Sequence, residues 1–206
     1  MKRIEGQHKL GVVLLAAGGS SRMGRPKQLL RIEDEALVTR MARRLIELEP
    51  ASVLVVTGSA AQAVNDQLSG LPVQVVHNLR WEEGMAGSLA VGVKNLPAEI
   101  DGVLIMLCDQ WRVGLEDLQE LVQVWNADIS QITAACWDDE GQQVIGPPAI
   151  FPRALFEELT SLKGDRGARA VIEKHRERAS FVAMESAFFD LDEPADLERN
   201  SGVTNQ

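Results

Sequence analysis

Gly11-Val12-Val13-Leu14-Leu15-Ala16-Ala17-Gly18-Gly19-Ser20-Ser21-Arg22-Met23-Gly24-Arg25-Pro26-Lys27 decides how the chain is read. Every position from Val12 to Ala17 is apolar, the pattern of a strand covered on both faces rather than one exposed on alternate residues. The strand empties into small residues, where Gly18, Gly19 and Gly24 allow tight turns and close backbone approach to a ligand. Exposed N–H groups in such a loop donate to anionic oxygens, and Arg22 and Lys27 add fixed positive charge. A polyphosphate site at the end of a buried strand is the consequence.

Two common phosphate motifs do not fit. Gly19 and Gly24 have the P-loop spacing, but Arg25-Pro26-Lys27 stands where Lys-Ser or Lys-Thr is required, so the magnesium-binding hydroxyl is missing. The dinucleotide pattern G-x-G-x-x-G also fails across Ala17 to Gly24.

Outward from this loop, strand-like and helix-like segments alternate, as in a parallel sheet flanked by helices. Leu37, Met41, Leu45 and Leu48 recur at helical spacing; Ser52 to Thr57 reads as a strand and Ala60 to Leu68 as a short helix. Val73 to His77 is a third strand, Ser88 to Asn95 a helix, and Val103 to Leu107 a continuous apolar strand that stops at Cys108-Asp109. Leu115 to Trp125 follows as a helix. Ile132 to Trp137, the turn Asp138-Asp139-Glu140-Gly141 and Val144 to Phe151 form a hairpin, which introduces a late antiparallel excursion. Phe188 to Leu197 reads as a strand, a turn and a helix start.

Composition narrows the partners. The chain has 206 residues and a net charge of -9, so one domain with a sizeable core is expected and no basic stripe suits a nucleic-acid backbone. Cys108 and Cys136 lie in apolar runs without metal spacing and read as buried thiols of a reducing compartment. Lys2, Arg3 and the run Leu10 to Ala17 imitate a secretory signal, but Glu5 interrupts the basic region and the apolar run is short. The reading is a cytoplasmic protein with no membrane span.

Residues just after buried strands carry most weight, because ligands of open α/β sheets bind beyond the carboxyl ends of the strands. Asp109 is the first of these. A helix cap is its competing role, but Arg112-Val113-Gly114 delay the next helix, which leaves a carboxylate suited to Mg²⁺ beside phosphates. Near the C-terminus, Asp190 and Asp192 alternate onto one face, while Glu193 and Asp196 flank Pro194 in a helix's first turn. Between Asn78 and Leu89, the segment holding Trp81, Gly84, Met85, Gly87 and Ser88 has room for a planar base, with Ser88 also read as a helix cap. Gly164-Asp165-Arg166-Gly167-Ala168-Arg169 places two guanidiniums around a turn; its competing role is a solvated, salt-bridged turn before a helix from Ala170 to His175.

The motif L-A-A-G-x-S-x-R-M-G-x-x-K resembles the signature of nucleotidyltransferases that move a nucleoside monophosphate from an NTP to a phosphorylated acceptor. Gly146-Pro147-Pro148-Ala149-Ile150-Phe151 and Leu162 to Arg169 narrow the resemblance to the molybdenum cofactor cytidylyltransferase branch of the MobA-like NTP transferases. It runs from about Gly11 to Leu197. It implies a three-layer αβα Rossmann-like nucleotidyltransferase fold over residues 1–200, with a frayed tail at 201–206. It also implies transfer of CMP from CTP to molybdopterin with Mg²⁺, or Mn²⁺, as cofactor, and a molybdoenzyme or its maturation chaperone as a partner. By the same resemblance, Leu15, Ala16, Ala17, Gly18, Gly19, Ser20, Arg22, Lys27, Asn78, Gly84, Met85 and Ser88 contact the nucleotide. Arg22, Lys27 and Asp109 are the catalytic set, Asp109 and Asp192 hold the metal, and Asp190 is the fallback for Asp192. Gln110, Trp111, Pro148, Gly164, Asp165, Arg166 and Arg169 are assigned to the acceptor. Trp111 stands where the family usually has proline, so its indole is expected to face the acceptor. Ala16-Ala17-Gly18, lacking the extra glycine of the guanylyl branch, favours CTP over GTP. The alternatives are GTP, a different phosphorylated acceptor, or a noncatalytic cofactor carrier.

Overall fold

β1, Leu10–Ala16, is buried at all seven positions and occupies the middle of the sheet. The computed structural model describes residues 8–19, 24–189 and 203–204. Along the chain follow β2 (Arg31–Ile32), β3 (Glu35–Ala36), α1 (Leu37–Glu47), β4 (Ser52–Thr57), α2 (Ala61–Leu68), β5 (Gln74–His77) and α3 (Met85–Lys94). Then come β6 (Gly102–Leu107), α4 (Leu115–Ala127), β7 (Ile132–Asp139), β8 (Gln142–Pro152), α5 (Phe156–Thr160), α6 (Arg169–Lys174), β9 (Ala179–Ala183) and β10 (Val203–Thr204).

The main sheet has seven strands in the order β5-β4-β1-β6-β8-β7-β9. β1 pairs in parallel with β4 and β6, β4 pairs in parallel with β5, and β9 pairs in parallel with β7. Only β8 runs against its neighbours, antiparallel to both β6 and β7. It is the excursion expected from the sequence, and its turn is local chemistry: Glu140 and Gly141 both have positive φ, at 52° and 84°, as a tight two-residue hairpin requires.

The layers follow from alternation along β1. Val12, Leu14 and Ala16 join the core under α1, α2 and α4, with Met41, Leu45, Leu118, Leu121 and Trp125. Val13, Leu15 and Ala17 face the opposite core, with Leu89 and Val93 of α3, Leu159 of α5 and Ile172 of α6. Both faces are covered, which is why β1 and β6 lack polar alternation. The three-layer αβα fold expected from the sequence is therefore the one present.

Several elements depart from expectation. The expected strand at Phe188 is a 3₁₀ turn, Glu185–Phe188, in which Phe188 is 45% exposed and meets Phe189 edge-to-face. Asp190, Asp192 and the rest of that acidic segment lie outside the described residues. β9 escaped notice because it is a short edge strand with one buried residue, Val182. In the stretch expected to fray, Val203–Thr204 pair antiparallel with Arg31–Ile32 to form a second sheet with β3.

α3 sits close on the sheet through Gly92. A Cβ there would lie 2.4 Å from Val13 Cγ1 and 3.1 Å from Val56 Cγ2, both on branched, rigid side chains. Helix propensity favours Gly92→Ala by about 1 kcal/mol, but overpacking costs about 1–3 kcal/mol. Gly92→Ala is expected to be destabilising, read as a lower urea midpoint with an unchanged m-value.

Candidate functional site

The register of the central strands sets Leu15 beside Leu107, so the chain leaves β1 and β6 at the same end of the sheet. A cleft of about 320 Å³ opens there. Ala17, Gly18 and Gly19 line it from β1, Asp109 from β6, and Lys27 from the 3₁₀ turn Lys27–Leu29. Lys27 Nζ donates to Asp109 Oδ2, and the two side chains are only 16% and 14% exposed. The other carboxylate oxygen, Oδ1, is buried and has no hydrogen-bond partner among the described residues. Asp109 is not a helix cap: α4 begins at Leu115, and Asp117 Oδ2 accepts from Gly114 N–H at 2.8 Å.

The glycine turn is held through its carbonyls. Gln28, 2% exposed, donates through Nε2 to the carbonyls of Ala16 at 3.1 Å and Gly18 at 2.8 Å. Ser59 N–H donates to Ala17 O at 3.3 Å, and Ser59 Oγ to Gly18 O at 3.1 Å. Trp81 closes the flank: a Cβ on Gly19 would lie 2.7 Å from its ring, and one on Gly58 2.7 Å from its Cβ and 2.3 Å from Ala17 O. These glycines are the seats of an indole.

The opposite wall joins two segments far apart in sequence. Gly84, at φ 109°, precedes α3, and a Cβ there would lie 2.5 Å from the Gly164 backbone and 2.7 Å from Asp165 Oδ1. Ala86 N–H donates to Gly164 O at 3.0 Å, and Met85 Sδ packs where a Gly167 Cβ would stand. Gly84, Met85, Ser88 and Asp165 thus line one cleft with the glycine turn. Behind this wall, Glu158 of α5 bonds Lys174 Nζ and His175 Nε2, each at 2.9 Å, tying the two ends of the segment that carries Gly164. Burial acts to raise the Glu158 pKa, but those two partners outweigh it and hold the carboxyl below its usual range.

The remaining candidates are distributed unevenly. Ser88 is not the helix cap it was read as, because α3 starts at Met85; its Oγ instead accepts from Asn78 Nδ2 at 3.0 Å, and both side chains are buried. Gln110 is committed internally, with Oε1 accepting from Leu107 N–H and Nε2 donating to Pro147 O at 2.6 Å. Trp111 does not border the cleft. Arg44 Nη1 bonds the carbonyls of Trp111 and Val113, drawing this turn toward α1, where Trp111 packs against the core. Pro148 is buried in β8, while Arg166 and Arg169 are exposed away from the cleft lining. Arg169 pairs with Glu173 at 3.8 Å. Ser20, Arg22 and Asp192 lie outside the described residues. Gln28 and Glu82 line the cleft unforeseen. Nothing in their local sequence marks them, since a glutamine after a lysine has no motif of its own.

The MobA-like NTP transferase domain, as a family model, matches residues 12–179. The chain belongs to this family. As a MobA-like nucleotidyltransferase it is 24% identical over its whole length to a probable molybdenum cofactor guanylyltransferase of Peptoclostridium acidaminophilum, 95% of which is covered. It is 31% identical over 126 residues to the bifunctional protein GlmU of Streptomyces avermitilis, a match covering 59% of this chain and 26% of GlmU. The chain thus spans about a quarter of that relative. Among solved structures, Rv0371c of Mycobacterium tuberculosis superposes with a TM-score of 0.77 at 30% identity, covering 94% of this chain and 97% of that one. Rv0371c in complex with manganese superposes at 0.70 with 27% identity, covering 86% and 88%. Among the described residues no helix is long and apolar enough to cross a membrane.

Two outcomes follow from the packing of the site. Gly58→Ala must displace either Trp81 or the Ala17 carbonyl, and is expected to cost about 1–3 kcal/mol in chemical denaturation. Burial, reinforced by the Asp109 charge, pushes the Cys108 thiol well above its usual range, and burial likewise raises Cys136. Burial thus disfavours the thiolate of both and shields them, so Ellman's reagent should titrate both in guanidinium and react more slowly with each in the native protein.

Proposed function

We propose that this MobA-like nucleotidyltransferase transfers CMP from CTP to the phosphate of molybdopterin and releases pyrophosphate. One observation carries the reading: the partly buried Lys27–Asp109 pair, with Asp109 Oδ1 unpartnered among the described residues, stands against a glycine turn whose carbonyls are hydrogen-bonded to Gln28 and Ser59. That combination offers backbone donors and an ammonium to phosphate oxygens, and one carboxylate oxygen to a hard cation. The donor set fits Mg²⁺ or Mn²⁺, and the manganese complex of Rv0371c supports a divalent ion. Asp109, with Asp192 as the second carboxylate, would hold it; when bound, it neutralises charge on the triphosphate and the departing pyrophosphate.

The chain's own residues supply positioning and charge. An oxygen of the acceptor phosphate attacks the α-phosphorus, and the bond from that phosphorus to the β-phosphate oxygen breaks as pyrophosphate leaves. Lys27 and Arg22 stabilise the charge that collects on the transferred group, and the Gly18 and Gly19 amides orient it. Gly84, Met85 and Ser88 border the base, with Asn78 holding Ser88 in place. Gly164 and Asp165, docked on the same wall, border the acceptor. Ala16-Ala17-Gly18, where the guanylyl branch usually has an extra glycine, supports CTP. The guanylyltransferase relative, covered over 95% of its length, favours GTP as the second reading.

Pyrophosphate release measured with CTP and GTP, each with molybdopterin and Mg²⁺, tests this directly. Turnover is expected with CTP. Turnover with GTP alone selects the second reading, and tight pterin binding without pyrophosphate release selects a carrier. Asp109→Asn should lower turnover on the order of 10²-fold while the protein still unfolds cooperatively, at a lower midpoint because Lys27 loses its carboxylate; near-normal activity would remove Asp109 from the metal site.

A further inference from the structure

We propose that Gln28, assisted by Ser59, is a positioning residue that keeps the glycine turn in its anion-binding conformation; the proposal rests on the nucleotide reading of the cleft. The argument is geometric. In a planar trans peptide the C=O of one residue points opposite to the N–H of the next. The carbonyls of Ala16 and Gly18 are taken by the two hydrogens of Gln28 Nε2, that of Ala17 by Ser59 N–H, and that of Gly18 a second time by Ser59 Oγ. Each of three successive carbonyls is therefore fixed, those of Ala16 and Gly18 on Gln28 and that of Ala17 on Ser59, which fixes in turn the opposed N–H groups of Ala17, Gly18 and Gly19. Gly18 and Gly19 line the cleft.

Without these anchors, a glycine turn is free to flip a peptide and present a carbonyl oxygen to the ligand. A Cβ at Gly18 would meet nothing within 4 Å, so side-chain packing does not restrain that residue. Hydrogen bonding is the restraint. The amide orientation of Gln28 is also determined, because a flipped side chain would set Oε1 against two carbonyl oxygens. Its Oε1 has no partner among the described residues, so Gln28 is held by what it donates and not by a network around it.

The test separates anion positioning from support of the fold. Binding of inorganic tripolyphosphate with Mg²⁺, and separately of CTP, is measured by calorimetry for the wild type, Gln28→Leu and Ser59→Ala. Gln28→Leu keeps the apolar stem and removes both donors. Its dissociation constants for tripolyphosphate and CTP should rise about tenfold, as should KM for CTP, while the unfolding midpoint moves by only a few degrees. Ser59→Ala leaves Gln28 bonded to the same Gly18 carbonyl and should weaken tripolyphosphate binding about threefold. Unchanged tripolyphosphate affinity in both variants overturns the proposal. Should Gln28→Leu fail to fold, Ser59→Ala decides it, because that hydroxyl bond is solvent-exposed and its loss leaves the core intact. A wild-type protein that binds neither CTP nor tripolyphosphate overturns the nucleotide reading itself, a result distinct from wild-type binding that the variants retain.

Discussion

The pairing of β1 with β6 is the constraint on which the site depends. Their parallel register brings Leu15 beside Leu107, so the glycine turn and Asp109, ninety residues apart along the chain, emerge together at one edge of the sheet. Both strands are buried on both faces, and a slip of one residue would exchange the two cores of β1, setting Val12 and Leu14 against α3 in place of Val13 and Leu15. The hydrophobic alternation that builds the αβα sandwich is thereby the same alternation that brings Lys27 to Asp109. Stability and site geometry share one register.

Close approach is the second theme, and glycine is its means. Gly92 lets α3 lie against Val13 and Val56; Gly84, Gly164 and Gly167 let the start of α3 dock on the segment between α5 and α6; Gly19 and Gly58 seat Trp81. Each contact is made by a side chain or backbone from a different part of the chain. The walls of the cleft are assembled from such contacts, with the Glu158, Lys174 and His175 bonds bracing the far side.

What was legible in the sequence was what depends on local pattern. The apolar runs of β1, β4 and β6, the Glu140-Gly141 hairpin and the delayed start of α4 after Asp109 all carry their signal within a few residues. β9 did not, because an edge strand with one buried position has no hydrophobic period to detect. Ser88 looked like a cap because caps are judged by the residue alone, whereas the start of α3 at Met85 is set by the docking of Gly84 and Ala86 on Gly164. Trp111 looked like a cleft residue because it stands where the resembled family usually has proline, but Arg44 of α1 bonds that turn and Trp111 packs on the core. Gln28 was invisible for the opposite reason: its partners are backbone carbonyls, which leave no residue signature.

The charge of the cleft bears on how an anion would enter it. Among the described residues lining it, Lys27 is one cation against Glu82, Asp109 and Asp165, in a chain whose net charge is -9. Lys27 is moreover already bonded to Asp109, so its field is partly spent at rest. Side-chain electrostatics from these residues alone do not favour a triphosphate. On the proposed nucleotide reading, the attraction would come from the glycine-turn amides, from Arg22 and from a divalent ion held by Asp109. The Lys27–Asp109 pair holds both groups in place at rest. On the proposed reading, Lys27 would face a phosphate oxygen and Asp109 would hold the cation, so one ion pair would join the two groups that the nucleotide and its metal each need.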